Sequence, residues 1–103
     1  MRAIVKQINF DYRKDKDGNR KRVVVFKCED KDGKTYWGDY NEEYARKYFA
    51  FCNQLAKDLP GKEVDITTYE YQDKEGKTKE RIRFLNCLDE KDKPIVMPKE
   101  LDF

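Results

Sequence analysis

Histidine is absent from the 103 residues, and the three cysteines, Cys28, Cys52 and Cys87, stand far apart with no C-x-x-C pair. Those absences leave little from which to build a zinc site, and no cofactor is expected. The odd cysteine count and wide spacing argue against a disulfide framework. Each thiol has apolar or aromatic neighbours and reads as a small, reduced residue of a cytoplasmic protein. There is no P-loop and no G-x-S-x-G, and no histidine to serve a cysteine as base. The carboxylates show no spacing that marks an acid–base pair, so the chain reads as non-enzymatic. No apolar run approaches membrane-spanning length, and the opening MRAIVKQINF lacks the apolar centre of a secretory signal.

Charge is present in abundance, at 43% of residues, but nearly balanced: 23 basic against 21 acidic side chains, net +2. Such polarity raises the question of disorder. Aromatic residues answer it, since they make up 14% of the chain and fall in short patterned runs, and each ring buries a large area in a small core. The charge is unevenly spread. Arg13 to Arg22 holds six basic and two acidic residues, whereas Asp89 to Phe103 holds three basic and five acidic, which leaves residues 1–88 at +4 and the tail at −2. That polarity permits an anionic partner without demanding one.

A short signal recurs between runs rich in Val, Ile, Tyr and Phe: DKDGN at 15–19, DKDGK at 30–34 and DKEGK at 73–77. Each reads as a hairpin turn. A calcium loop would carry its glycine at the sixth position, but Gly18 is fourth from Asp15. A three-residue loop, a type I turn closed by a left-handed glycine, accommodates all three stretches.

That one rule fixes three registers. Cys28 faces Tyr36, Phe26 faces Gly38 and Val24 faces Tyr40, while Lys27 meets Trp37 and Val25 meets Asp39. Phe10 meets Val24 and Ile8 meets Phe26, with Asn9–Val25 and Gln7–Lys27 on the other side. Ile66 meets Phe84 and Thr68 meets Ile82, with Thr67–Arg83, Tyr69–Arg81 and Tyr71–Lys79 opposite. Apolar residues segregate to one face throughout, and a one-residue slip would mix the faces. Tyr36 therefore points inward and Trp37 outward; the competing reading is a core tryptophan. One pair fits badly: Glu70 falls opposite Glu80, and like charges there repel, so that end is expected to fray.

Between the third and fourth strands lies a helical stretch, residues 41–61. Asn41 can cap it, Glu42 and Glu43 suit its positive end, and Pro60-Gly61 stops it. Tyr44, Tyr48, Cys52, Leu55 and Leu59 form a stripe at helical spacing, widened by Phe49 and Phe51. After Leu88 come the charged DEKDKP and then IVM, a short sixth strand at most, and an acidic tail.

The order strand, strand, strand, helix, strand, strand resembles the OB-fold, a five-stranded antiparallel Greek-key barrel. Residues 1–88 would form that domain and 89–103 a charged tail. The first strand departs from the pattern in having no glycine where such barrels bend. The resemblance implies a ligand face on the second and third strands, flanked by the first and last hairpin loops. Carried onto this chain, the face holds Gln7, Asn9, Val25, Lys27, Thr35 and Trp37. The first loop adds Arg13, Lys14, Arg20, Lys21 and Arg22, and the last hairpin adds Tyr69, Tyr71, Lys79, Arg81 and Arg83. Rings and cations are what a single strand needs, because bases stack on aromatic faces while the backbone follows a positive groove.

The ending KELDF is similar to the acidic, phenylalanine-terminated tip with which bacterial single-stranded DNA-binding proteins recruit partner proteins. That implies a partner-binding role for Leu101, Asp102 and Phe103, although Lys99 and the missing proline depart from the pattern. The expected function is sequence-independent single-stranded DNA binding in replication, by a protein of phage or plasmid type. RNA is the lesser alternative, and pairing into a homodimer is compatible with the family. The second reading is a protein-interaction module, an inhibitor or assembly subunit, favoured if Asp11, Glu29 and Asp39 dominate the face.

Overall fold

The computed structural model describes residues 1–97. In all three D-x-x-G turns the leading aspartate acts as the organiser. Asp15, Asp30 and Asp73 each set one carboxylate oxygen 2.9 Å from two backbone N–H groups, two and four residues downstream. Gly18, Gly33 and Gly76 then close the turns with φ of 81°, 83° and 79°, a region that glycine enters without a Cβ clash. A fourth turn of the same build lies at 89–93, where the sequence has no D-x-x-G signal. Asp89 accepts from Lys91 and Lys93, and Asp92 takes the glycine position at φ 59°. It supports only an isolated Leu88–Pro94 bridge and a bond from the Ile95 N–H to the Cys87 carbonyl, so the expected sixth strand does not form.

The turns join β1 (Arg2–Lys14) to β2 (Arg20–Glu29), β2 to β3 (Thr35–Asn41), and β4 (Glu63–Gln72) to β5 (Thr78–Asn86). All five strands lie antiparallel in one sheet of order β3-β2-β1-β4-β5. The expected β2–β3 pairs are all present, as are those between β1 and β2. In β4–β5 the pairs at Thr68, Tyr69, Glu70 and Tyr71 are as expected, but a bulge between Thr67 and Thr68 leaves Arg83 unpaired. Thr67 therefore faces Phe84, not Arg83, and Ile66 faces Leu85, not Phe84. The Glu70–Glu80 end does not fray: pairing continues to Gln72–Thr78. Glu80 escapes the repulsion by accepting a bond from the Thr68 hydroxyl and pairing with Lys34 at 2.9 Å.

A second bulge lies in β1, where Val5 pairs with Cys28 and Gln7 with Lys27, leaving Lys6 over. The bend needs no glycine, since an inserted residue also curves a strand. Upstream of it Ala3 and Val5 point inward, and Arg2–Ile4 pair with β4. Downstream the β1–β2 hairpin extends past the core as an arm, so Phe10, expected to pack, is 54% exposed.

Helix α1 (Glu42–Phe51) covers the open end of the sheet. The Asn41 side chain caps it by accepting from the Tyr44 N–H at 2.7 Å. It is shorter than expected. Asn53 turns left-handed (φ 56°), and a single 3₁₀ turn, Ala56–Asp58, follows. Of the anticipated stripe, Tyr48, Cys52 and Leu59 are buried and Tyr44 half-buried, whereas Leu55 is exposed; Phe49 packs and Phe51 does not.

No ladder joins the edge strands β3 and β5 among the described residues. Side chains close the seam instead. The Tyr40 hydroxyl donates to the Leu85 carbonyl and accepts from the Leu85 N–H, both at 2.8 Å. Above it Arg81 pairs with Asp39, and Lys34 with Glu80. Between them, Gly38 passes so close that an added Cβ would sit 2.7 Å from Cβ of Ile82 and 2.9 Å from the Phe26 ring. Both obstacles are core atoms without room to yield, so Gly38→Ala should destabilise the protein by about 1–3 kcal/mol, the usual cost of overpacking. Urea unfolding measures this; an unchanged midpoint would mean the seam is looser than described.

The turn aspartates give stability a pH dependence. Asp73 and Asp89 are held below the ordinary 3.8, first by the Lys77 and Lys93 N–H groups that donate to them. A lowered folded pKa gives stability that is full above the unfolded value and lost as pH falls through the folded one. Denaturant midpoints should therefore decline from about pH 5 to about pH 2. Asp73→Asn, which keeps an acceptor oxygen but cannot titrate, should flatten part of that decline.

Candidate functional site

The polar face of the sheet carries a continuous trough made of two depressions. The first, about 600 Å³, runs from Asn9, Asp11 and Arg13 on the arm to Val25, Trp37 and Arg81. The second, about 460 Å³, runs from Trp37 and Arg81 past Thr35 to Tyr71 and Lys79, with Glu70 and Glu80 on its wall. Trp37 and Arg81 belong to both and form the middle of the floor. They meet because β3 and β5 close on one another at Gly38 and Ile82.

Strand alternation sets the orientations. Tyr36 is 3% exposed and Trp37 is 41% exposed, as the three-residue turn requires. Lys27, opposite Trp37 in the ladder, places its ammonium 5.7 Å from the ring centroid, and exposed Gln7 pairs with Lys27 one strand over. Tyr69 and Tyr71 stand together, 6.1 Å between centroids. The bulge that displaced Arg83 brings its guanidinium over Tyr69, 5.4 Å from the centroid.

The five cations of the first loop do not form one cluster, because they alternate across the arm. Arg13 points to the trough side, whereas its cross-strand partner Lys21 lines a separate depression with Arg22 and the start of α1. Lys14, Arg20 and Arg22 point to the reverse side together with Phe10 and Tyr12. There Arg22 lies 4.1 Å over the Phe10 ring and Arg20 lies 4.5 Å over the Tyr12 ring. Both rings are more than half exposed. Neither ring is among the expected site residues, although the F-x-Y spacing with arginines across the hairpin carries that signal.

Carboxylates temper the field. Arg13 pairs with Asp11 at 2.5 Å, Lys79 with Asp73 at 3.4 Å, Lys21 with Asp15 at 3.8 Å, and Arg22 with Glu42 at 3.6 Å. Asp39 neutralises Arg81 at the trough centre. Among the described residues, Lys14, Arg20, Lys27 and Arg83 have no acidic partner, and the last three lie over aromatic rings. Leu101, Asp102 and Phe103 lie outside the described residues.

No family model, curated protein or solved structure matches this chain. The functional reading therefore rests on the trough itself.

Trp37 is the only tryptophan, so its emission reports on the trough floor directly. Acrylamide should quench it readily in the folded protein. Protection from the quencher, with a blue-shifted maximum, would put the ring in the core and the trough elsewhere.

Proposed function

We propose that this protein is a non-enzymatic binder of single-stranded nucleic acid, built as an OB-fold-like half-closed barrel. Element order supports the fold reading: β1 pairs with both β2 and β4, the helix lies between the third and fourth strands, and β3 and β5 face one another across the remaining gap. In such barrels strands two and three with their flanking hairpins make the ligand face, and the trough occupies that position. The observation that carries the functional reading is the open trough with Trp37 at its centre and Tyr71 at one end.

The roles follow from chemistry. Trp37 and Tyr71, with Tyr69 beside them, offer ring faces to successive bases, and every base has a face to stack. Lys27, Arg83 and Arg13 supply cations along the path, and Asn9, Gln7 and Thr35 supply neutral hydrogen-bonding groups. Recognition should be indifferent to sequence, because stacking and phosphate contact carry no base code. The arm, with arginine-covered rings on its reverse face, can grip a strand that turns around its edge. A protein partner is the second reading, favoured by Asp11, Asp39, Glu70 and Glu80 around the same trough.

Titration with oligothymidine should quench Trp37 emission, with affinity falling as salt rises because phosphate contacts release counterions. Duplex DNA should bind less well. Trp37→Ala should cost about 1–3 kcal/mol, the worth of one stacked base. Flat emission together with flat anisotropy of a labelled strand, for DNA and RNA alike at low salt, would rule out the reading and leave the protein-partner one.

A further inference from the structure

Beyond the core, the β1–β2 arm has an edge with no neighbouring strand. The Asp15 N–H donates to the Asn19 carbonyl at 2.9 Å. Antiparallel alternation carries that bonded pairing on to Arg13–Lys21, Asp11–Val23 and Asn9–Val25. Ile8, Phe10, Tyr12 and Lys14 therefore turn their N–H and C=O groups away from β2. Among the described residues β4 does not meet them: it pairs only with residues 2–4, and the loop before it reaches no further than Val5. At Tyr12 the arm's own side chains stand in for the missing strand. The Tyr12 N–H donates to the Asp11 carboxylate at 2.8 Å, and the Tyr12 carbonyl accepts from the Arg13 guanidinium at 3.3 Å. Those two side chains also pair with each other at 2.5 Å. Phe10 and Tyr12, on the same edge, are both more than half exposed. An extended edge that carries exposed rings is a template for another strand.

Two other stretches of edge are open, and each repels a copy of itself. The far side of the arm, residues 20–22, is three cations in a row. The outer edge of β4 past Ile66 carries Glu70, which already faces Glu80. The β1 edge differs. A two-fold axis perpendicular to the sheet preserves both faces, so each side chain meets one from the same face of the copy. Centred on Asp11, the pairing would set that carboxylate against itself. Centred on Phe10, it would set Asp11 against Asn9 and gain no charge pair. Centred on Tyr12, it sets Asp11 opposite Arg13 of the second copy and Arg13 opposite the second Asp11, with Phe10 beside the second Lys14. Opposite charges directly across a ladder attract. Lys14, which has no acidic partner among the described residues, gains a ring face.

We propose that the free edge of β1 is a homodimer interface, in which residues 10–14 of two copies pair antiparallel about a two-fold axis at Tyr12. Tyr12 pairs with its counterpart and Phe10 with Lys14, all with their backbone groups aimed at the axis, so about six hydrogen bonds join the chains. The Asp11–Arg13 pair within each chain is exchanged for two such pairs between chains. The contact is self-complementary and closed, so association stops at two copies. Both troughs then open on the same face of one longer sheet, with their ends at Asn9 and Arg13 adjoining. The dimer itself does not rest on the nucleic-acid reading.

Sedimentation velocity of the full chain without nucleic acid, from low micromolar to near-millimolar protein, should show a reversible monomer–dimer equilibrium. Interfaces of under about 1,200 Å² are the weak ones, so the monomer should prevail at the low end. Tyr12→Pro removes an N–H that the β1–β2 ladder does not use. It should leave the circular dichroism of the fold in place and the chain monomeric throughout. Asp11→Arg alone sets cations against cations across the axis, and Arg13→Asp alone sets carboxylates against carboxylates, so each variant should sediment as a monomer. An equimolar mixture of those two variants should dimerise, because opposite charges face one another again. That rescue reads the register and does not depend on the proline variant folding. A wild-type chain still monomeric at the highest concentration, a dimer that the single charge variants leave intact, or a mixture that stays monomeric would each overturn the proposal. None of these outcomes involves nucleic acid, so a failure here is distinguishable from a failure of the trough to bind a strand.

Discussion

The fold depends on the approach of β3 to β5 at a place where no strand ladder forms. A sheet of five strands that curls this far but stops short of closing leaves two rows of backbone polar groups to satisfy. The Tyr40 hydroxyl answers both groups of Leu85, the Tyr48 hydroxyl answers the N–H of Cys87, and Gly38 provides the clearance that lets Ile82 and Phe26 fill the space between. Burial raises the Tyr40 pKa well above its ordinary value, so the hydroxyl stays protonated and can serve as donor and acceptor together. The same approach sets Arg81 beside Trp37, and the trough follows from it.

Local signals in the sequence were sufficient for whatever local chemistry decides. An aspartate followed three residues later by glycine fixes a turn, the turn fixes a register, and the register sends Trp37 outward and Tyr36 inward. The bulges at Lys6 and Arg83 were not legible, because they answer curvature imposed by distant packing. Neither was the exposure of Phe10. Its alternation with Val24 is that of a core residue, and only the length of the arm beyond the core decides otherwise. The early end of α1 has a similar cause: the apolar stripe continues to Leu55, but the chain turns left-handed at Asn53 to reach β4.

The same distinction holds for the trough. Which face each residue occupies was readable from alternation, and most of the expected residues do line it or stand beside it. Their pairings were not readable, because Asp39–Arg81 joins strands 42 positions apart. The first-loop cations are divided between two faces by the pleat, so the arm presents Arg13 to the trough and its rings, covered by Arg20 and Arg22, to the reverse side.

The self-contained turns also bear on how the chain acquires its shape. Three hairpins carry their own instructions within a few residues, and such short-range pairings form quickly. The seams that join them are few: Arg2–Ile4 against Glu63–Asp65, and the side-chain closure at Gly38. The β1–β4 seam brings together segments some sixty residues apart, and the entropy of closing that loop must be met before the contacts it allows are made. The rate-limiting event should therefore be the docking of the β4–β5 hairpin on the β1–β3 meander. Substitutions at Ala3 or Val64 should then slow refolding, whereas those in the turns should chiefly hasten unfolding.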